Sequence, residues 1–125
     1  MNLVWVRRVT SVALVAALLA IAPRPALAGE VSVTVVNVET AQGVKMWIPS
    51  TIVAKKGDTV KLKLVNKLSI DHGYQIPAYG VEKIVPPDGP NGTAEVSFTA
   101  DKAGIFPIQC QLHPAHVGGQ LVVLE

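Results

Sequence analysis

The chain has one cysteine, and two histidines follow it within a seven-residue segment near the C-terminus. Cys110 is followed by His113 and His116, and the remaining histidine of the chain, His72, lies upstream. One thiolate beside imidazoles is the donor set that favours copper among the first-row metals. The sequence therefore predicts one metal site, formed by His72, Cys110, His113 and His116 and holding one copper ion.

Each of these residues also has a less specific explanation. A lone cysteine is often a buried, inert hydrophobe, although the two histidines close behind Cys110 argue against that here. His72 could be a loop histidine bonded to backbone, and His116 could be a solvent-facing residue or a group that supports a ligand. Asp71 could accept a hydrogen bond from a ligand histidine.

Other metals and cofactors fit the pattern less well. Zinc also accepts a cysteine with histidines, but structural zinc motifs usually place their ligands in two close pairs. This chain has one cluster and one distant histidine. Haem attachment through cysteines and a copper pair bridged by two thiolates each need more than one cysteine, so a mononuclear copper site is favoured.

The N-terminal residues have the three-part pattern of a secretory signal peptide. Arg7 and Arg8 precede an apolar run over 12–22, and Ala26-Leu27-Ala28 is a small-residue cleavage site. We expect residues 1–28 to be a signal peptide and 29–125 to be one domain exported to the periplasm. Without the leader the chain has 8 lysines (11 − 3 arginines) and 9 acids, so its net charge is 8 − 9 = −1. That composition gives no basic patch for nucleic acid and no transmembrane segment in the mature domain.

The rest of the chain has the pattern of short strands separated by turns. Residues 59–66 alternate cleanly, so Val60, Leu62 and Leu64 should face a core while Lys61 and Lys63 face water. The fold class predicted is all-β: a single Greek-key β-sandwich of about seven to eight strands. The candidate strand segments are 31–35, 43–48, 51–54, 59–66, 73–76, 81–85, 94–99, 105–110 and 120–124.

Proline within the segment that leads to the cysteine requires a special position. Pro107 has no N–H to donate, so it should lie at a sheet edge or bulge. The alternation places Phe106, Ile108 and Cys110 on one face and Pro107 and Gln109 on the other.

Segment 106–114, with 72–74 before it and 118–123 after it, resembles the cupredoxin family over roughly residues 45–125. The Cys-x-x-His-Pro spacing is similar to that of amicyanins, and the residues around Cys110 also resemble nitrosocyanin. The resemblance implies that His72, Cys110 and His113 are equatorial ligands and that His116 stands at the axial position. Amicyanins have methionine at the axial position, and nitrosocyanin has glutamate where this chain has His72.

Three functions remain open at this stage. A periplasmic electron carrier that cycles between Cu(I) and Cu(II), rather than an enzyme, is the favoured one. Its redox partner protein should dock near the copper loops, where we expect an apolar surface formed by 76–79, Pro114, Ala115 and Val117. The alternatives are copper binding for trafficking, and a nitrosocyanin-like red-copper site that reacts with a small molecule. Nucleophilic catalysis by Cys110 is disfavoured, because no orienting acid or oxyanion donors are evident.

Overall fold

The computed structural model describes residues 27–125, and most of the predicted signal peptide 1–28 lies outside that range. The described part of the chain contains nine β-strands, a single 3-10 turn and no α-helix. The strands are β1 (Glu30–Glu39), β2 (Lys45–Ile48), β3 (Thr51–Lys55), β4 (Thr59–Asn66), β5 (His72–Ile76), β6 (Val81–Val85), β7 (Thr93–Thr99), β8 (Gly104–Ile108) and β9 (Gly119–Leu124).

Two sheets enclose the core. One has the strand order β2-β1-β4-β7, and the other has the order β3-β9-β8. The hairpin of β5 and β6 joins the second sheet beside β8 through one antiparallel bridge between Gln75 and Gln109. Two pairings are parallel, β1 with β4 and β3 with β9, so each connects strands that are distant in sequence. This arrangement confirms the predicted β-sandwich, with nine strands where about seven to eight were expected.

The alternation of side chains along β4 is as predicted. Val60, Leu62 and Leu64 are buried, whereas Lys61 and Lys63 are exposed. Because successive residues of a strand point to opposite faces, this pattern commits one face of the sheet to the core. The buried apolar residues of the core are Val35, Trp47, Ile52, Ala54, Val60, Leu62, Leu64, Tyr74, Ile76, Val81, Val85, Val96, Ala100, Ile108, Leu121 and Val123.

The predicted turn at Lys56-Gly57-Asp58 connects β3 to β4. Gly57 has a φ of +96°, a conformation that a residue with a Cβ rarely adopts. The Asp58 carboxylate accepts hydrogen bonds from the Lys55 and Gly29 amides and so ties the turn to the start of β1. Among residues 27–125, no helix has the length and apolar character needed to cross a membrane.

Candidate metal centre

Cys110 lies just beyond the end of β8, at one end of the sandwich. Pro107 is exposed and belongs to the strand at the edge of the three-stranded sheet, as its missing N–H requires. Ile108 and Cys110 are buried, whereas Pro107 and Gln109 are exposed, so the predicted alternation is confirmed. The end of β8 therefore directs the thiol inward, into the space between the sheets.

His72 is the first residue of β5 and is fully buried. The bridge between Gln75 and Gln109 places β5 beside β8, so His72 and Cys110 come from neighbouring segments. A side-chain hydrogen bond from Gln109 to Gln75, 2.7 Å long, reinforces that junction.

The loop after Cys110 returns His113 to the same point. His72 Nδ1 lies 4.0 Å from Cys110 Sγ, and His113 Nδ1 lies 3.6 Å from the same sulfur. The three donor atoms lie within 4.8 Å of one another, close enough to bind one ion. His113 is only partly buried, so it is the member of this cluster closest to solvent.

The surroundings of His72 keep its imidazole neutral. Its pKa is lowered from 6.5 to about 4, mainly by burial and to a smaller extent by the nearby His113, His116 and Lys45, while Asp71 opposes the shift. A metal-binding histidine must be neutral, so this environment favours the form that ligates. The Nε2 atom of His72 is buried and has no hydrogen-bond partner among the described residues.

Gly73 connects the two segments that carry the donors. Its N–H donates to Cys110 Sγ at 3.2 Å, and its carbonyl accepts a hydrogen bond from Trp47 Nε1 at 2.9 Å. A Cβ at this position would collide with the side chain of Gln111 and would lie 3.1 Å from the Gln111 backbone nitrogen. The absence of a side chain therefore lets the loop approach β5. The hydrogen bond to sulfur is of the kind that tunes the potential of copper–thiolate sites.

His116 lies beside the cluster but outside the group of three donor atoms. Its ring centroid is 5.2 Å from that of His72. Its Nε2 is 2.8 Å from Asn37 Oδ1, and its Nδ1 is 3.1 Å from the carbonyl oxygen of Val117. Burial lowers the pKa of His116, and the Val117 carbonyl opposes that effect. The ligand role of His116 stays a prediction.

The sequence analysis did not identify Asn37 and Asn66, which are both fully buried behind His116. They are directly paired across β1 and β4, and Asn37 Nδ2 donates to Asn66 Oδ1 at 3.2 Å. A signal was present in the sequence. The inward-facing positions of both strands carry three apolar residues and then an asparagine: Val31, Val33, Val35 and Asn37 on β1, and Val60, Leu62, Leu64 and Asn66 on β4.

The prediction of an apolar surface around the site is only partly correct. Ile76 is fully buried in the core. Pro77–Tyr79 forms the 3-10 turn at the far end of β5 from His72, where Tyr79 packs against Phe98 and Phe106. This segment therefore belongs to the opposite end of the strand. The exposed residues that remain beside His113 are Leu112, Pro114, Ala115 and Val117.

Comparison with known proteins identifies one family. Residues 11–123 match the family model described as "Cupredoxin-like domain". Among curated proteins, the nitrous-oxide reductases of Cupriavidus necator and Ralstonia nicotianae are 48% and 44% identical over 59 residues. Each match covers 45% of this chain and 9% of the reductase, so the chain spans a small part of the length of these relatives.

Solved structures share the fold. A copper nitrite reductase from Nitrosomonas europaea superposes with a TM-score of 0.63 and 22% identity over 76% of this chain and 41% of its own. A copper binding protein solved by NMR in its apo form gives 0.56 and 23%, over 76% of this chain and 88% of its own. At these identities the likeness establishes the architecture.

Proposed function

The chain belongs to the cupredoxin-like family, and from that premise we propose that it is a periplasmic electron carrier with one copper ion held by His72, Cys110 and His113. The observation that carries the proposal is the convergence of the Cys110 sulfur and one ring nitrogen from each of His72 and His113 within 4.8 Å. A His₂Cys set is the donor combination of copper electron-transfer sites. His116 is proposed as the residue at the axial position.

The donor set fits copper on two counts. The buried thiol and the neutral, desolvated His72 are soft and borderline donors, which copper prefers over oxygen ligands. The donors are also held before any metal arrives, because Gly73 binds both Cys110 Sγ and Trp47. When bound, copper would supply a one-electron couple between Cu(I) and Cu(II).

The protein's own residues would then fix the donors and exclude water. The core residue Tyr74 packs edge-on against Trp47, at a centroid distance of 5.4 Å, immediately behind Gly73. This buried support would hold the donors in similar positions in the two oxidation states and so limit the reorganisation that accompanies electron transfer. His72 is fully buried, whereas His113 is partly exposed, and the proposed route for the electron is therefore through the His113 edge.

The redox partner is proposed to dock on the loop that carries His113. Leu112 and Val117 are each 42% exposed, and Pro114 and Ala115 are exposed beside them. A small apolar surface of this kind suits a weak and short-lived complex, which is what electron carriers require. A free thiol in an exported protein is open to oxidation, and coordination to copper would protect it.

Titration of the purified protein with Cu(II), followed by optical and EPR spectra, tests the proposal. We expect an intense thiolate-to-copper charge-transfer band that saturates at one equivalent and disappears reversibly on reduction. The position of the band assigns the site to the blue, green or red spectral class. A titration without this band would refute the electron-carrier proposal.

Two variants make the experiment specific. Cys110→Ser should abolish the charge-transfer band while leaving the far-UV spectrum of the fold unchanged. Ser97→Ala, on the exposed face of β7, should behave as the wild type, because it lies outside the centre. Loss of the band in both variants would mean that the signal reports the state of the fold rather than a Cys110–copper bond.

A further inference from the structure

A chain of buried amides leads from the body of the sandwich to the ring of His116. Asn66 Nδ2 faces three backbone carbonyl oxygens, those of Ile70 at 2.8 Å, Pro86 at 2.9 Å and Val85 at 3.2 Å. Its Oδ1 accepts from the Leu68 amide at 3.0 Å. Because carbonyl oxygens only accept and backbone amides only donate, these contacts leave one possible orientation for the Asn66 amide.

The orientation of Asn66 determines that of Asn37. Asn66 Oδ1 is an acceptor, so the atom of Asn37 that faces it must be the donor Nδ2, at 3.2 Å. The remaining atom, Asn37 Oδ1, then faces His116 Nε2 at 2.8 Å. A carboxamide oxygen can only accept a hydrogen bond, so Nε2 has to donate.

A second acceptor competes for the proton of a neutral ring. The Val117 carbonyl lies 3.1 Å from His116 Nδ1. The backbone of Val117 already pairs with Met46 in a parallel β-bridge, whereas Asn37 is fully buried and its Oδ1 has no other partner among the described contacts. Leaving the buried Asn37 oxygen without a donor costs more free energy than leaving the Val117 oxygen without the His116 proton. The proton should therefore lie on Nε2.

We propose that Asn37, oriented by Asn66, is a positioning residue that fixes the neutral tautomer of His116 with its proton on Nε2. This leaves Nδ1 as the only nitrogen of His116 with a free lone pair. His72 and His113 also present Nδ1 to Cys110. A metal-bound histidine commonly donates its other ring N–H to a neighbouring acceptor, which fixes the tautomer and the ring orientation.

The consequence for the centre rests on the proposed function. If copper binds at the cluster, His116 can join it only through Nδ1, and Asn37 decides whether that atom is available. Removing the acceptor at position 37 leaves the Val117 carbonyl as the only acceptor for the ring. The proton should then move to Nδ1, and His116 should lose its capacity to coordinate through that atom.

Long-range proton–nitrogen NMR on the metal-free protein, at a fixed pH of about 8, identifies the tautomer directly. For the wild type we expect the Nε2–H form of His116. Asn37→Leu should convert it to the Nδ1–H form, and Asn37→Asp, which retains an acceptor, should keep the proton on Nε2. Thr34→Leu, on the exposed face of the same strand, should leave the tautomer unchanged.

An Nδ1–H tautomer in the wild type would overturn the proposal, even if the variants did not fold. So would an unchanged Nε2–H form in a folded Asn37→Leu protein. The copper form gives an independent reading: Asn37→Leu should shift the charge-transfer band, and the shift should vanish in a His116→Ala background. A shift that persists there would mean that Asn37 acts on the fold rather than through His116. Failure to bind copper would sink the proposed function and leave the tautomer result standing.

Discussion

Acidification should destabilise the metal-free protein through His72, within a pH range that the structure defines. The imidazole is fully buried, and its pKa falls from 6.5 to about 4, chiefly because burial disfavours the charged form. In the unfolded chain the same group takes up a proton near its ordinary pKa. The unfolded state therefore binds more protons below pH 6.5, so stability is complete above that pH and falls as the pH drops towards 4.

The size of the effect follows from the two pKa values. A difference of one pKa unit corresponds to roughly 1.4 kcal/mol, so the whole shift represents about 3 kcal/mol of unfolding free energy. About 2 kcal/mol of this should be lost between pH 8 and pH 5. The carboxylates act in a lower range: backbone hydrogen bonds from Lys55 and Gly29 hold the pKa of Asp58 below 3.8, so its contribution is lost only in stronger acid.

The assay is urea unfolding of the chelator-treated protein at pH 8 and pH 5, for the wild type and for His72→Gln. His116 is also buried and titrates in both proteins, so the difference between the two pH dependences isolates His72. We expect the wild type to lose about 2 kcal/mol more than the variant. Equal losses would refute the reasoning, as would a His72 ring that titrates near pH 6.5 when followed by NMR in the folded wild type.

Two further changes test the supports of the centre. Gly73→Ala should weaken copper binding and shift the charge-transfer band, because the added Cβ would displace Gln111 from β5 and lengthen the hydrogen bond from residue 73 to Cys110. An unaltered copper titration would show that the close approach of the loop to β5 is unimportant. Asn66→Ala should lower the free energy of unfolding by about 3 kcal/mol, since it strands several buried partners, each worth about 1 kcal/mol or more. Asn91→Ala, at an exposed position, is its control and should change stability by less than about 0.5 kcal/mol in urea unfolding.

Local patterns predicted the strands well, because alternation along one strand reports directly which face is buried. The period-two pattern of 59–66 anticipated β4 and its inward face, and the proline in 105–110 anticipated an edge strand. Cys110 and His113 were predictable as neighbours, because so short a step in sequence limits their separation in space.

Features that depend on pairing between distant strands were not predictable in this way. Ile76 looked like a surface residue, since nothing in its own segment shows that this part of β5 packs into the core. The same limit applies to His72, whose position depends on the bridge between Gln75 and Gln109. The pairing of Asn37 with Asn66 required knowing that β1 and β4 run parallel, which no local pattern reveals.

The parallel pairing of β3 with β9 has a consequence for the order of events in maturation. It joins Thr51 to Gln120, which are 69 positions apart in the sequence, and the contact between Asn37 and His116 joins residues 79 positions apart. Contacts between such distant residues form late and slowly, because the entropy of loop closure must be overcome before they contribute. Until β9 has inserted between β3 and β8, the sandwich that buries Cys110 is incomplete and its thiol is open to solvent. Metal uptake should therefore follow the completion of folding, and the interval before it is when the thiol is most exposed to oxidation.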